Sequence, residues 1–275
     1  MFVQSQRIPW GAGAYQTVRP GVACKLLSRD VTSGAATVLL EYPAGWSQPQ
    51  PQVLGVLEEF YVLRGCLQIG DQLYAEHSYG RLPAGHRRAG AHSDRGAIVL
   101  TMWDADPYLS ASGTSQSGDD AGPPGFYYNA RGRGLDGWGV NTHTRYLVGT
   151  GVQTLRKDEN SGEITILYAA LPFRFMEKRW THEHAMEMYL LAGEYSINDV
   201  GVLRLGAYAW WDPAYLHGPY GSLTGFMMLV RSCGGPLINV IPDERVAVDF
   251  AAPYQPVLPP ELASCAGEWD SQANV

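Results

Sequence analysis

The stretch Trp180-Thr181-His182-Glu183-His184-Ala185-Met186-Glu187-Met188-Tyr189-Leu190-Leu191-Ala192-Gly193 decides how this chain is read. From Glu187 onward it is β-prone and ends on a glycine, as a strand does before a turn. His182 and His184 are two apart, so on extended backbone their imidazoles project to the same side. Glu187 follows three residues later, and His217 stands in the later phrase His217-Gly218-Pro219. Three neutral imidazoles and a carboxylate that close on one point suit a divalent first-row metal with open positions. The residue set predicts a mononuclear metal centre inside a small β-barrel.

Outward from this stretch the chain repeats itself. Lys25-Leu26-Leu27-Ser28-Arg29-Asp30-Val31-Thr32-Ser33-Gly34 reads like Gln153-Thr154-Leu155-Arg156-Lys157-Asp158-Glu159-Asn160-Ser161-Gly162, with Asp30 and Asp158 separated by 128 positions. The same offset of 128 pairs Glu59 with Glu187, Tyr61 with Tyr189, Leu63 with Leu191 and Gly65 with Gly193. A duplicated domain is the economical reading. Between the copies, Ser110 to Gly125 is small, polar and rich in breakers, so it reads as a linker. The expected organisation is an N-terminal domain over 1–109, a linker over 110–130 and a C-terminal domain with its tail over 131–275. Short β-prone runs punctuated by Gly and turn signals predict an all-β chain, with an antiparallel sandwich or small barrel in each copy.

Composition agrees. The 275 residues are 45% hydrophobic and 17% charged, with 32 Gly and 18 Pro, as many short strands and tight turns require. A net charge of −7 with scattered Lys and Arg argues against a nucleic-acid partner. No apolar run reaches the ~20 residues of a membrane span, and Met1 to Pro9 lacks the apolar core of a signal peptide, so a cytoplasmic location is expected. Cys24, Cys66, Cys233 and Cys265 show no CxxC spacing and read as reduced thiols. No Gly-rich loop opens a helix and no GxSxG elbow is present.

His182-x-His184, Glu187 and Gly193, followed by Gly206, Pro213 and His217, resemble the two motifs of the cupin superfamily, and the duplication resembles a bicupin. The first motif of that family spaces His-x-His three or four residues from Glu and that Glu six residues from Gly. Here the His-to-Glu gap is one residue short, and in the second motif Tyr215 replaces a Gly. The resemblance implies two tandem double-stranded β-helix (jelly-roll) barrels. The phrase around Trp211 to Ser222 is similar to small metal-dependent dioxygenases of the acetylacetone-cleaving kind. It implies one divalent metal per chain at His182, His184, Glu187 and His217: Fe(II) first, with Mn, Ni or Zn as alternatives.

The N-terminal copy replaces His182 by Leu54 and His184 by Val56, and puts Ala89, Arg88 or Arg87 at the place of His217, so it reads as a silent barrel. By alternation Tyr189 points the same way as Glu187, towards the interior, where it would donate a hydrogen bond or a proton to a bound substrate. Trp180, Trp210, Trp211, Tyr215 and Phe175 are candidate pocket walls, and Arg179 a candidate carboxylate anchor. The expected activity is Fe(II)-dependent cleavage of a carbon–carbon bond in a ketone, diketone or phenolic compound, with dioxygen as co-substrate. A redox-neutral lyase or isomerase and a non-catalytic small-molecule binder are the alternatives. The chain would act as a pseudo-symmetric monomer or as a homodimer.

Overall fold

The computed structural model describes residues 1–11, 15–108, 125–127, 139–140, 149–242 and 244–267. Among the described residues the elements are almost all antiparallel strands, and the chain divides into two compact units, Pro9–Gly132 and Met1–Ile8 with Arg133–Val275. All four cysteines are free thiols. Among the described residues no helix is long and apolar enough to cross a membrane.

In the N-terminal unit the main sheet runs Gly125–Tyr127, Tyr79–Leu82, Glu58–Ile69, Ala97–Trp103, Ala36–Tyr42, Ala23–Arg29. Trp46–Gln48 and Ala91–Ser93 pair with each other, and the latter returns to Glu58–Ile69. The sheet curls around a core that includes Val38, Leu40, Phe60, Val62, Val99 and Trp103. Most of the expected linker, 110–124 and 128–130, lies outside the described residues, but 125–127 is a strand of this unit rather than a connection.

The C-terminal unit orders its sheet Phe2–Gln4, Ala207–Trp211, Ala185–Ile197, Phe226–Cys233, Ile164–Ala170, Thr150–Lys157, Gly139–Val140. Its first strand corrects the domain reading. Phe2 pairs with Ala209 and Gln4 with Ala207, so residues 1–8 belong here and not to the N-terminal copy. Phe2 is 2% exposed and stacks edge-on against Trp211 at 5.2 Å, which gives this apolar N-terminus a reason to stay.

The long strands carry the repeat in their geometry. Ala185–Ile197 slips register against Phe226–Cys233 between Leu190 and Ala192, and Glu58–Ile69 does so against Ala97–Trp103 opposite Ile98 and Val99. Gly193 and Gly65 close these bulges at φ 72° and 77°. An added Cβ would stand 2.0 Å from the Gly225 oxygen in one and 2.1 Å from the Gly96 oxygen in the other, so only glycine fits. The bulge fixes which side chains face inward. Met186, Met188 and Leu190 join the core, with Trp180, Tyr195, Ile197, Trp211 and Tyr220.

Candidate functional site

Two of the four expected ligands meet inside the C-terminal core. His182 sits on the short strand Thr181–His182, paired with Asn239–Val240. His217 is joined to Trp180 by an antiparallel bridge with both backbone hydrogen bonds at 3.0 Å. Each imidazole is 3% exposed, and their centroids are 4.9 Å apart. Their outer nitrogens are tied: His182 Nδ1 pairs with Asn239 Oδ1 at 2.8 Å and His217 Nδ1 with the Tyr215 carbonyl at 3.0 Å. An Nδ1–H held by an oxygen acceptor leaves Nε2 as a lone pair, so both rings present acceptors inward. The Trp180 indole N–H donates to His217 Nε2 at 2.5 Å, whereas His182 Nε2 is buried without a protein partner among the described residues.

Aromatic rings close the site. Trp211 lies 5.1 Å from His217 and Trp180 lies 4.5 Å from Tyr220, with Tyr195 5.0 Å from Tyr220. Tyr168 and Tyr220 share a hydroxyl–hydroxyl hydrogen bond at 3.2 Å. Burial raises the Tyr195 and Tyr220 hydroxyls well above their ordinary range, so both stay protonated. Burial also lowers His182, against the Asn239 hydrogen bond, and pushes His217 down to about 3, so both rings are neutral at pH 7. The Trp211 indole N–H is a second buried atom without a protein partner among the described residues. The His182 acceptor and the Trp211 donor are therefore without protein partners among the described residues, and such groups call for one.

The other two expected ligands are elsewhere. Glu187 accepts from Tyr208 Oη at 2.8 Å and pairs with Arg231 Nη1 at 3.1 Å, on the face opposite to Met186 and Met188. His184 is half-buried, and its ring sits against Gly235, where an added Cβ would come 2.4 Å from Nε2. Among the described residues no group of three or more His, Cys, Asp or Glu is placed to hold a metal ion. The set His182, His184, Glu187 and His217 therefore does not fit one metal.

The reason is register. Counted back from the bulge glycine Gly193, the six-residue spacer of the cupin motif puts its carboxylate position at Met186, not Glu187. The three-residue spacer then puts its two imidazole positions at Trp180 and His182. Met186 is buried and stands opposite Trp211, in line with that count. The histidine pair of the sequence straddles the site: His182 enters it and His184 does not.

Tyr189 shares the face of Glu187, as alternation predicts, but that face is not the one lining the His182 site. Its hydroxyl meets Ser5 Oγ at 3.3 Å, so it packs and does not act on a substrate there. Of the expected pocket walls, Trp180, Trp211 and Tyr215 gather around His217, with the Tyr215 ring stacked 6.3 Å from it. Trp210 turns away to donate to Asp212 Oδ1 at 3.0 Å, and Phe175 is 52% exposed against Phe250. Arg179 Nη2 is held by Asp199 Oδ2 at 3.0 Å and the Leu216 carbonyl, while its Nε is buried without a protein partner among the described residues. Asn239 and Tyr220 were missed because neither carries a sequence signal. Asn239 is 57 residues from the ring it orients.

The curled antiparallel sheets give the chain a fold of the cupin jelly-roll type. The chain belongs to the family described as domain of unknown function DUF4437, whose model matches residues 7–235. Among solved structures it is similar to a protein of Nostoc punctiforme PCC 73102 named a "putative dioxygenase", at 20% identity over 85% of this chain and 79% of that one, with a TM-score of 0.63. It is also similar to protein Ylba of E. coli, at 11% identity over 86% and 92% with a TM-score of 0.57. A mutant of the Bacillus subtilis oxalate decarboxylase OxdC aligns at 11% identity over 87% and 78% with a TM-score of 0.55. At these identities the likeness is one of fold. No curated protein matches the chain.

Proposed function

We propose that this protein is an enzyme that moves a proton on a small, largely apolar molecule bearing an enol, ketone or phenol oxygen, at His182 of the C-terminal unit. The observation that carries this reading is the pair of unpartnered buried atoms, His182 Nε2 and Trp211 Nε1, within the aromatic cluster of the two imidazoles. A hydroxyl is the group that donates to an atom like the first, and a hydroxyl or carbonyl oxygen the group that accepts from one like the second. His182 is neutral at pH 7 and so is competent as a base. Its Nε2 would take a proton from an O–H or from the carbon beside a carbonyl. The Nδ1–H on Asn239 holds the ring as the charge develops. The proton returned to a different atom of the substrate gives a redox-neutral isomerisation, with no electron acceptor needed.

A second reading keeps a metal. His182 and His217 each direct Nε2 inward from a tied Nδ1, as the hydrogen-bond partners of metal-bound imidazoles arrange it. The likeness to the Nostoc protein favours the oxidative form of that reading, Fe(II) cleavage of a diketone or phenol. It would require His217 to release the Trp180 indole.

Two measurements separate the readings. Deuterium uptake from D2O at the α-carbon of a ketone panel, followed by NMR, should be catalysed and should fall by about 10²-fold or more in His182→Ala. Equal uptake by the variant sinks the proton-transfer reading. Elemental analysis of anaerobically purified protein should show metal well below one per chain. Roughly one iron per chain, lost in His182→Ala with His217→Ala, moves the conclusion to the metal-dependent oxygenase.

A further inference from the structure

The face of the N-terminal sheet turned away from its core carries a cleft of about 410 Å3. That is within the range of small-molecule sites. Its floor is a row across four strands. Ile98 pairs with Arg64 on one side and with Glu41 on the other, and Glu41 pairs with Ala23. Residues paired directly across strands share a face. Val99 joins the core, so Ile98 and its row face the other way. Arg95 enters from the turn before Ala97–Trp103, and Tyr42, Pro43 and Ala97 add apolar walls. The Gly96 oxygen abuts Gly65, so Arg64 and Arg95, each one residue earlier, are rooted side by side.

Arg64, Arg95 and Glu41 are the charges that line this cleft. Neither guanidinium has a hydrogen-bond or ion-pair partner among the described residues. The chain has 27 acidic residues to 20 basic ones, and Arg19, Arg29, Arg88, Arg204 and Arg231 each hold a carboxylate. Arg64 and Arg95 do not, and both are exposed, so a ligand reaches them without rearrangement of the sheet. Glu41 also lacks a hydrogen bond or ion pair among the described residues. Its field reaches Lys25, which packs over the Trp10 ring at 4.5 Å.

The C-terminal copy shows that the fold does not need these charges. Gly193 and Gly225 make there the close contact that Gly65 and Gly96 make here. Counted from those glycines, Arg64 answers to Ala192 and Arg95 to Thr224. Glu41 answers to Ala169, which pairs with Met227 as Glu41 pairs with Ile98. The same backbone is built there with three neutral residues, so the charges answer to something other than the sheet. A cleft with two cations and one anion fits a ligand with two anions and one cation. Guanidinium forks match carboxylates, and a carboxylate takes an ammonium. Arg64 and Glu41 stand two strands apart, roughly 10 Å at the backbone, which leaves room between their side chains for a ligand of a few carbons. We propose that the N-terminal unit binds an acidic α-amino acid in this cleft, its carboxylates on Arg64 and Arg95 and its ammonium on Glu41. The site is separate from His182 and does not rest on the role given to that residue.

Isothermal titration of the full chain with L-glutamate tests it, at fixed ionic strength. Binding should be saturable and at least about tenfold tighter than that of L-glutamine, which lacks the second carboxylate, or of glutarate, which lacks the ammonium. Arg64→Ala and Glu41→Ala install the residue that the other copy carries at each place, so both variants should fold. Arg64→Ala should weaken L-glutamate about tenfold or more, and Glu41→Ala should erase its advantage over glutarate. No saturable heat for L-glutamate in the wild type overturns the proposal. Equal affinity for glutarate or L-glutamine overturns it too, as does an Arg64→Ala variant that binds like the wild type. The wild-type comparisons decide the matter even if a variant fails to fold.

Discussion

Trp180 donates its indole N–H to His217 Nε2 across the backbone bridge that joins the two residues. An indole has a donor and no lone pair in the ring plane, so it stands where a ligand would stand without being able to act as one. This contact explains why a chain with a His-x-His phrase does not gather three imidazoles. It also defines how to restore them. In the double variant Trp180→His with Met186→Glu, the introduced imidazole and carboxylate join His182 and His217. That protein should bind roughly one divalent metal per chain, against a wild type well below that. Elemental analysis after dialysis against nickel or zinc reads the outcome. A double variant that folds and stays metal-free shows that the register deduced from Gly193 is wrong.

Glu187 belongs to a buried network with Arg231 and Tyr208, not to a metal centre. Its side chain is 4% exposed and that of Arg231 is 8% exposed. Removing one partner of such a pair strands the other charge, at a cost of about 3–5 kcal/mol. Glu187→Gln should therefore lower stability by several kcal/mol in urea unfolding, while ligand binding in the surviving folded protein stays unchanged. Loss of binding at wild-type stability would return Glu187 to the site.

How much of this was legible in the sequence depends on what each residue answers to. The repeat was legible because it is local chemistry. Asp30 Oδ1 caps the amides of Thr32 and Ser33, Asp158 Oδ1 caps those of Asn160 and Ser161, and the same residue types recur for the same turn. Gly65 and Gly193 were legible because their backbone tolerates nothing else. The facing of the motif was not. A shift of one residue moves every side chain to the other face, and His182-x-His184 with Glu187 looks sound in either register. Only the bulge, which depends on the partner strand, decides it. The crossing of the N-terminus into the other unit was equally hidden, since Phe2 finds Ala209 across 207 positions with no motif at either end.

Stability should fall with acid in a window that carboxylates do not explain. His182 and His217 are lowered in the folded state, the latter to about 3, while an unfolded histidine titrates near 6.5. Between these values the unfolded chain binds more protons than the folded one. The stabilisation is complete above pH ~6.5 and is lost as pH falls towards the folded values. Over pH 6.5 to 4.5 the slope contributed by His217 approaches about 1.4 kcal/mol per pH unit. His217→Gln should flatten the urea-unfolding free energy across that window. An unchanged slope would mean that the ring is solvated and not buried as described.

Asn239 sets the proton on His182, and a single atom changes that setting. The amide oxygen accepts at 2.8 Å from Nδ1 and carries no charge, so burial dominates and His182 is lowered. Asn239→Asp puts an anion at the same distance and favours the imidazolium. Histidine NMR titration should show His182 rising, with His217 following the added charge less strongly. A more basic Nε2 in a ring already held in place is a better proton acceptor near neutral pH. The α-carbon exchange proposed for His182 should then keep its rate or gain, whereas Asn239→Leu, which removes the acceptor and frees the tautomer, should lose about tenfold or more. Identical rates in the Asp and Leu variants would show that Asn239 only packs against the ring, and the acid–base role of His182 would fall with it.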